Sequence, residues 1–182
     1  MAGINRASKL LRMFTESQKS MGVPCVFISH QQNDKAVCRR ISEYIKVANI
    51  DVYFDDDDLD LKLHNQSNNP KGVVNSIRKG IKNSSHMLVV ISPNTLYSKW
   101  VPWEVGYGYD ETDLGILTIT GISDADLPDY LRTTEIYRGI KSLNAYLSKI
   151  TGRSQLIMES EHLIKKHTMS SHPLERYLDW NK

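Results

Sequence analysis

Cysteine is scarce: the 182 residues contain two, Cys25 and Cys38. One lies in an apolar segment and the other in a helical pattern, and neither has the spacing of a metal ligand or the companions of a disulfide framework. They read as reduced core thiols of a cytoplasmic protein. No apolar run approaches the ~20 residues that cross a bilayer, so a membrane-spanning helix is not expected. A charge excess of one sign is also missing, with 23 Lys and Arg against 21 Asp and Glu, interspersed along the chain. Without a basic stripe or an acidic tail, nucleic acid is not an expected partner. The chain lacks Gly-x-x-x-x-Gly-Lys, Gly-x-Gly-x-x-Gly and Gly-x-Ser-x-Gly, which removes the phosphate loop, the dinucleotide fingerprint and the hydrolase elbow. His162, His167 and His172 do not fall at i, i+4, and no His-Glu-x-x-His is present, so no metal site is expected.

What is present is an alternation of two periodicities. Val23–Ile28, Ile50–Phe54, His86–Ile91 and Gly115–Thr120 are short apolar runs that read as buried strands, and Thr133–Tyr137 is a weaker fifth. Between them, Val37, Cys38, Ile41, Tyr44, Ile45 and Ala48 recur on one helical face, with Asn33 as its expected cap and Asn49 as its stop. Asn69-Pro70 opens another helix, with Val73, Val74, Ile77 and Ile81 on one side. Ile140, Leu143, Leu147 and Ile150 mark a closing helix. Parallel neighbours need crossovers, so the order predicts an α/β fold: an open, mostly parallel sheet of four to five strands with helices on both faces. We divide the chain into an N-terminal helical extension (1–22), the sheet domain (23–150) and a peripheral, helical C-terminal extension (151–182). The polar stretch Asp55–Asn69 reads as a long loop.

In such folds, ligands bind at the C-terminal edge of the sheet. Three segments converge there: Ser29-His30-Gln31, Asp55 onward, and Ser92 to Glu104. A glutamate in a first helical turn is ordinarily there for the helix dipole. At Glu104 a second role is suggested by Trp100 and Trp103, since Trp100 and Glu104 share a helical face. A planar heterocycle stacked there would set an ionised carboxylate beside an adjacent sugar, although either indole is equally suited to core packing. In the run Asp55-Asp56-Asp57-Asp58, consecutive carboxylates cannot easily aim at one point, so a metal site is not expected. Asp55, at the strand end, is the best placed to act in a site, and the others read as solvated or capping. A phospho-accepting receiver would need an acidic pair after the first strand, where this chain has Ser29-His30.

Four segments resemble the boxes of a bacterial TIR domain: Val26-Phe27-Ile28-Ser29-His30, Asp51-Val52-Tyr53-Phe54-Asp55, Val90-Ile91-Ser92, and the Ser-x-Trp-x-x-x-Glu motif from Ser98 to Glu104. The likeness spans Val23 to Ile150. It implies a flavodoxin-like sheet and, as in many bacterial and plant members, an NAD+ glycohydrolase or cyclase whose catalytic residue matches Glu104. By the same likeness Phe27, Ser29 and His30 belong to the nucleotide pocket wall and Trp100 adds aromatic surface; Asp55 joins them by its place at the strand end. NAD+ would be the substrate, and no cofactor is implied. The Asp55–Asn69 segment would gate the site and touch a neighbouring subunit through TIR–TIR contacts. Small stand-alone members resemble the signal-producing component of antiphage systems such as Thoeris, which would make a cyclic or modified ADP-ribose messenger for a separate effector. Val101 stands where the family usually has cysteine, and the gating segment has no glycine before Pro70. A non-enzymatic TIR scaffold and a nucleoside deoxyribosyltransferase-like enzyme remain the alternatives.

Overall fold

The computed structural model of the chain describes residues 2–8, 22–154 and 172–179. Its strands are β1 (Cys25–Ser29), β2 (Asp51–Tyr53), β3 (His86–Ile91), β4 (Asp113–Thr118) and β5 (Glu135–Tyr137). All pair in parallel, in the order β2-β1-β3-β4-β5. This is the flavodoxin-like arrangement, in which the strand order reverses beside β1 and β3 and opens a crevice at their C-terminal ends.

Among the described residues five α-helices connect and cover the sheet: α1 (Lys35–Val47), α2 (Leu59–Gln66), α3 (Pro70–Lys82), α4 (Val101–Gly108) and α5 (Ile140–Thr151). Because side chains alternate along a strand, Val26, Ile28, Val52, Leu88, Val90 and Leu117 face α1 and α5. Phe27, Tyr53, Met87, Val89 and Ile91 face α2, α3 and α4 on the other side. Both cysteines are free and buried. Burial, then the charges of Asp34 and Asp55, push the Cys38 thiol well up from its ordinary value, so it is no nucleophile.

Local chemistry sets the helix ends. Asn69 accepts from the Gly72 amide at 3.0 Å and Pro70 follows at the first helical position, as the sequence suggests. Asn49 takes the left-handed conformation, φ 64°, after α1. The start of α1 differs from expectation: Asn33 lies inside a 3-10 turn (Gln32–Asp34), and it is the Gln31 side chain that accepts from the Asn33 amide. Gly80 of α3 lies so close to the Tyr53 ring that a Cβ there would come within 2.5 Å of it.

The stretch Asp55–Asn69 is not one loop. A 3-10 turn (Asp55–Asp57) leads into α2, whose N-terminus is capped by Asp58 accepting from the amides of Asp60 (3.0 Å) and Leu61 (3.1 Å). Leu61 is its one buried residue, so the segment lacks the apolar stripe by which helices are recognised. Asp58 also accepts a hydrogen bond from the buried Tyr53 hydroxyl. Asp58→Ala removes the cap and the acceptor of that hydroxyl's hydrogen bond, and is expected to lower the unfolding free energy by about 2 kcal/mol in urea denaturation.

The described residues nearest the two ends of the chain are not helical. Residues 2–8 are not helical; they lie along β2, with a parallel bridge between Asn5 and Val52. Arg6 is buried there, its Nε 2.8 Å from Asp51 and its other nitrogens donating to the carbonyls of Val23 and Asn83. The rest of the expected N-terminal helix, 9–21, lies outside the described residues. At the other end, 172–179 is a run of turns rather than a peripheral helix, with Leu174 and Leu178 buried in the core and Asp179 bridging to Gly139. Residues 155–171 also lie outside the described residues.

Candidate functional site

The expected edge gathers its residues around Glu104. Ser98 Oγ accepts from the amides of Trp100 (3.3 Å) and Val101 (3.2 Å), and the Glu104 amide donates to the Trp100 carbonyl at 2.9 Å, which closes the first turn of α4. Val101, Val105 and Gly108 turn toward the sheet, and Glu104 is carried inward with them to 8% exposure. Its carboxyl meets the end of β1, where the Ser29 hydroxyl donates to Oε2 at 2.6 Å.

Glu104 lines a recess together with Phe27, His30, Tyr53 and Asp55. Ile28 of β1, Leu61 of α2 and Ser76 and Ile77 of α3 complete the wall. Phe27 stacks on Tyr53 with ring centroids 5.5 Å apart. His30 Nδ1 lies 3.2 Å from the Ile28 carbonyl, which can only accept, so this nitrogen carries hydrogen. His30 Nε2 faces Asp55 Oδ1 at 3.6 Å, and the imidazole lies 5.0 Å from the Phe54 ring. The recess is a cavity of ≈ 10 Å³, room for about one water molecule.

Burial raises the Glu104 pKa from 4.5 to about 7; the Ser29 hydrogen bond opposes the rise and the charge of Asp55 adds to it. Among the described residues no lysine, arginine or histidine forms an ion pair with it. Near neutrality the protonated form therefore stands beside the ionised carboxylate that the sequence suggests. Ser29→Ala withdraws the group that favours the anion, so the Glu104 titration midpoint is expected to move alkaline of 7, as read by carboxyl-carbon NMR.

Two charged clusters hold the loops around the recess. Asp34 is buried and accepts from Ser92 Oγ (2.5 Å), Asn94 Nδ2 (2.7 Å) and Thr95 Oγ1 (3.3 Å). It thereby ties the loop after β1 to the loop that leads into α4. Asp56 pairs with Lys35 and Arg39 of α1 and approaches Lys62 of α2 at 3.6 Å. That network draws the segment after β2 onto α1.

Of the six residues expected at the site, Phe27, His30, Asp55 and Glu104 line the recess and Ser29 stands behind Glu104. Trp100 does not line it; it is 41% exposed and packs edge-on to Trp103 at 6.2 Å. Trp103 in turn stacks on Tyr107 at 5.7 Å. Sequence reasoning missed Tyr53, Leu61 and Ser76. Tyr53 alternates with Val52 on a strand already recognised, and that was the available signal.

An all-parallel sheet in this order, with a buried glutamate from a Ser-x-Trp-x-x-x-Glu helix start facing the crevice, is the arrangement of a TIR-type domain. The family model described as Thoeris protein ThsB, TIR-like domain, matches residues 27–126, more than half of the chain. The chain belongs to that family. A search of curated proteins finds no match. Among the described residues no helix is long and apolar enough to cross a membrane.

Proposed function

We propose that this protein cleaves the nicotinamide–ribose bond of NAD+, releasing nicotinamide and a linear or cyclic ADP-ribose product that a separate effector of the Thoeris defence reads. The observation that carries the proposal is the Glu104 carboxyl, held by Ser29, unpaired with any cation among the described residues and facing the crevice at the edge of the sheet. The matched family supports the setting.

Nicotinamide leaves as a neutral molecule, taking the electron pair of the C–N bond, so general acid catalysis contributes little. The positive charge passes from the pyridinium ring to the ribose, whose oxocarbenium character must be stabilised, as in glycoside hydrolysis. The Glu104 anion opposes that growing charge and accepts from ribose hydroxyls. Water then adds to the anomeric carbon and gives up a proton, yielding ADP-ribose; attack by a nucleophile within the same molecule yields a cyclic product. How dry the closed site is decides between the two. We assign Phe27, His30 and Asp55 to the nucleotide wall, Ser29 to holding Glu104, and Trp100 to the part of the nucleotide beyond the recess.

Room for about one water does not admit a dinucleotide. The segment carrying Asp55 and Leu61 therefore has to swing outward, which fits a gate completed by self-association. The same tightness favours the second reading, a non-enzymatic TIR scaffold. Mass spectrometry of NAD+ incubated with concentrated protein separates them: nicotinamide and an ADP-ribose species support the enzyme, whereas intact NAD+ with a self-associated protein supports the scaffold. Base exchange between deoxynucleosides would instead identify a deoxyribosyltransferase.

A further inference from the structure

The first residues of the chain close the free edge of the sheet beside β2. The Gly3 amide donates to the Lys46 carbonyl (2.8 Å), the Val52 amide to the Ile4 carbonyl (2.9 Å), and the Arg6 amide to the Val52 carbonyl (2.8 Å). The Ile4 amide and the Arg6 guanidinium both reach the Asp51 carboxylate. These bonds satisfy the edge without using the side chain of Asn5.

That side chain reaches one residue further along the chain. Asn5 Oδ1 accepts from the Phe54 amide at 3.1 Å, and Asn5 Nδ2 donates to the Phe54 carbonyl at 3.1 Å. Oδ1 also accepts from the Ala7 amide at 3.1 Å, which fixes the carboxamide within its own turn. Gripping both the N–H and the C=O of one residue fixes the peptide planes on either side of it. Phe54 is the last residue before the segment that closes the recess: its ring is buried against the His30 imidazole, and Asp55 follows it. A gate that swings at Asp55 needs a fixed point directly before it, and Asn5 supplies one from outside the family-matched stretch.

We infer that Asn5 is a positioning residue for the nucleotide site: its carboxamide pins Phe54, and through Phe54 it holds His30 in place while the gate from Asp55 onward moves. This inference rests on the NAD+-cleaving reading for its kinetic consequence, but not for the pin itself. Asn5→Ala removes both bonds to Phe54. Asn5→Asp keeps an acceptor for the Phe54 and Ala7 amides and loses the donor to the Phe54 carbonyl.

The test combines steady-state NAD+ kinetics with site-resolved hydrogen exchange on the full chain. In Asn5→Ala, KM for NAD+ is expected to rise about tenfold with kcat within twofold, Asn5→Asp falling between it and the wild type. Exchange at the Phe54 amide should accelerate at least tenfold in Asn5→Ala and stay near wild type in Asn5→Asp, with β1 and β3 unchanged in both. An unchanged KM, or a fall in kcat that follows a general loss of Tm, overturns the positioning role. If the wild-type protein turns over no NAD+, the reaction reading fails and the exchange data decide the pin alone: acceleration confined to the β2 exit upholds it, and unchanged exchange at Phe54 overturns it.

Discussion

Glu104→Gln is expected to lower kcat for NAD+ cleavage by about three powers of ten while leaving the fold intact. A carboxylate ~4 Å from a unit positive charge, at an effective dielectric near 20, contributes about 4 kcal/mol, which corresponds to roughly a thousandfold in rate. Glutamine occupies the same volume, and its carbonyl oxygen still accepts from Ser29 Oγ, so the loss isolates charge from shape. The effect should fall mainly on kcat, because the charge opposed by Glu104 develops on the ribose as the bond breaks. Steady-state kinetics that show KM rising while kcat is preserved would assign Glu104 to binding instead.

The same substitution should stabilise the protein in alkaline solution. Folding raises the Glu104 pKa from 4.5 to about 7, chiefly through burial. The folded state therefore holds a proton that the unfolded chain releases between these values. The stability linked to this group is fully present below pH 4.5, declines as pH rises toward 7, and is gone above it. Such a shift corresponds to about 3 kcal/mol. Glutamine carries no titration, so Glu104→Gln is expected to raise Tm by about 5–10 °C at pH 8 and by little at pH 5, read by calorimetry at both values. Catalysis has the opposite dependence. For the wild type, kcat/KM should climb as pH rises through about 7, where the anion forms, and level off above it. Bound NAD+ brings a cationic ring, which favours the anion, so the kcat profile should turn at lower pH than that of kcat/KM.

The fold was legible because its strands are continuous apolar runs separated by helices with clear stripes: Val26–Ile28 and Met87–Ile91 fall in β1 and β3, and Pro70 opens α3 at the expected residue. Glu104 was legible through its spacing from Trp100 and its place after β3, and His30 and Asp55 through the strand ends that topology brings together. The misses have physical causes. Helix α2 buries only Leu61 and is held by the Asp58 cap and the Asp56 ion pairs, so it carries little periodic signal. The N-terminal strap is a backbone-to-backbone pairing, to which hydrophobic patterns are blind. Trp100 sits one turn before Glu104 as predicted, but α4 turns Glu104 inward and leaves the indole at the surface. The protonation of Glu104 depends on burial within the folded chain, which local sequence does not encode.

The most direct test is nicotinamide release from NAD+ by concentrated protein at pH 8, with Glu104→Gln measured beside it. Release by the wild type and about a thousandfold less by the variant is the predicted result. Equal release by both, or none from a folded and self-associated wild-type protein, would contradict the assignment.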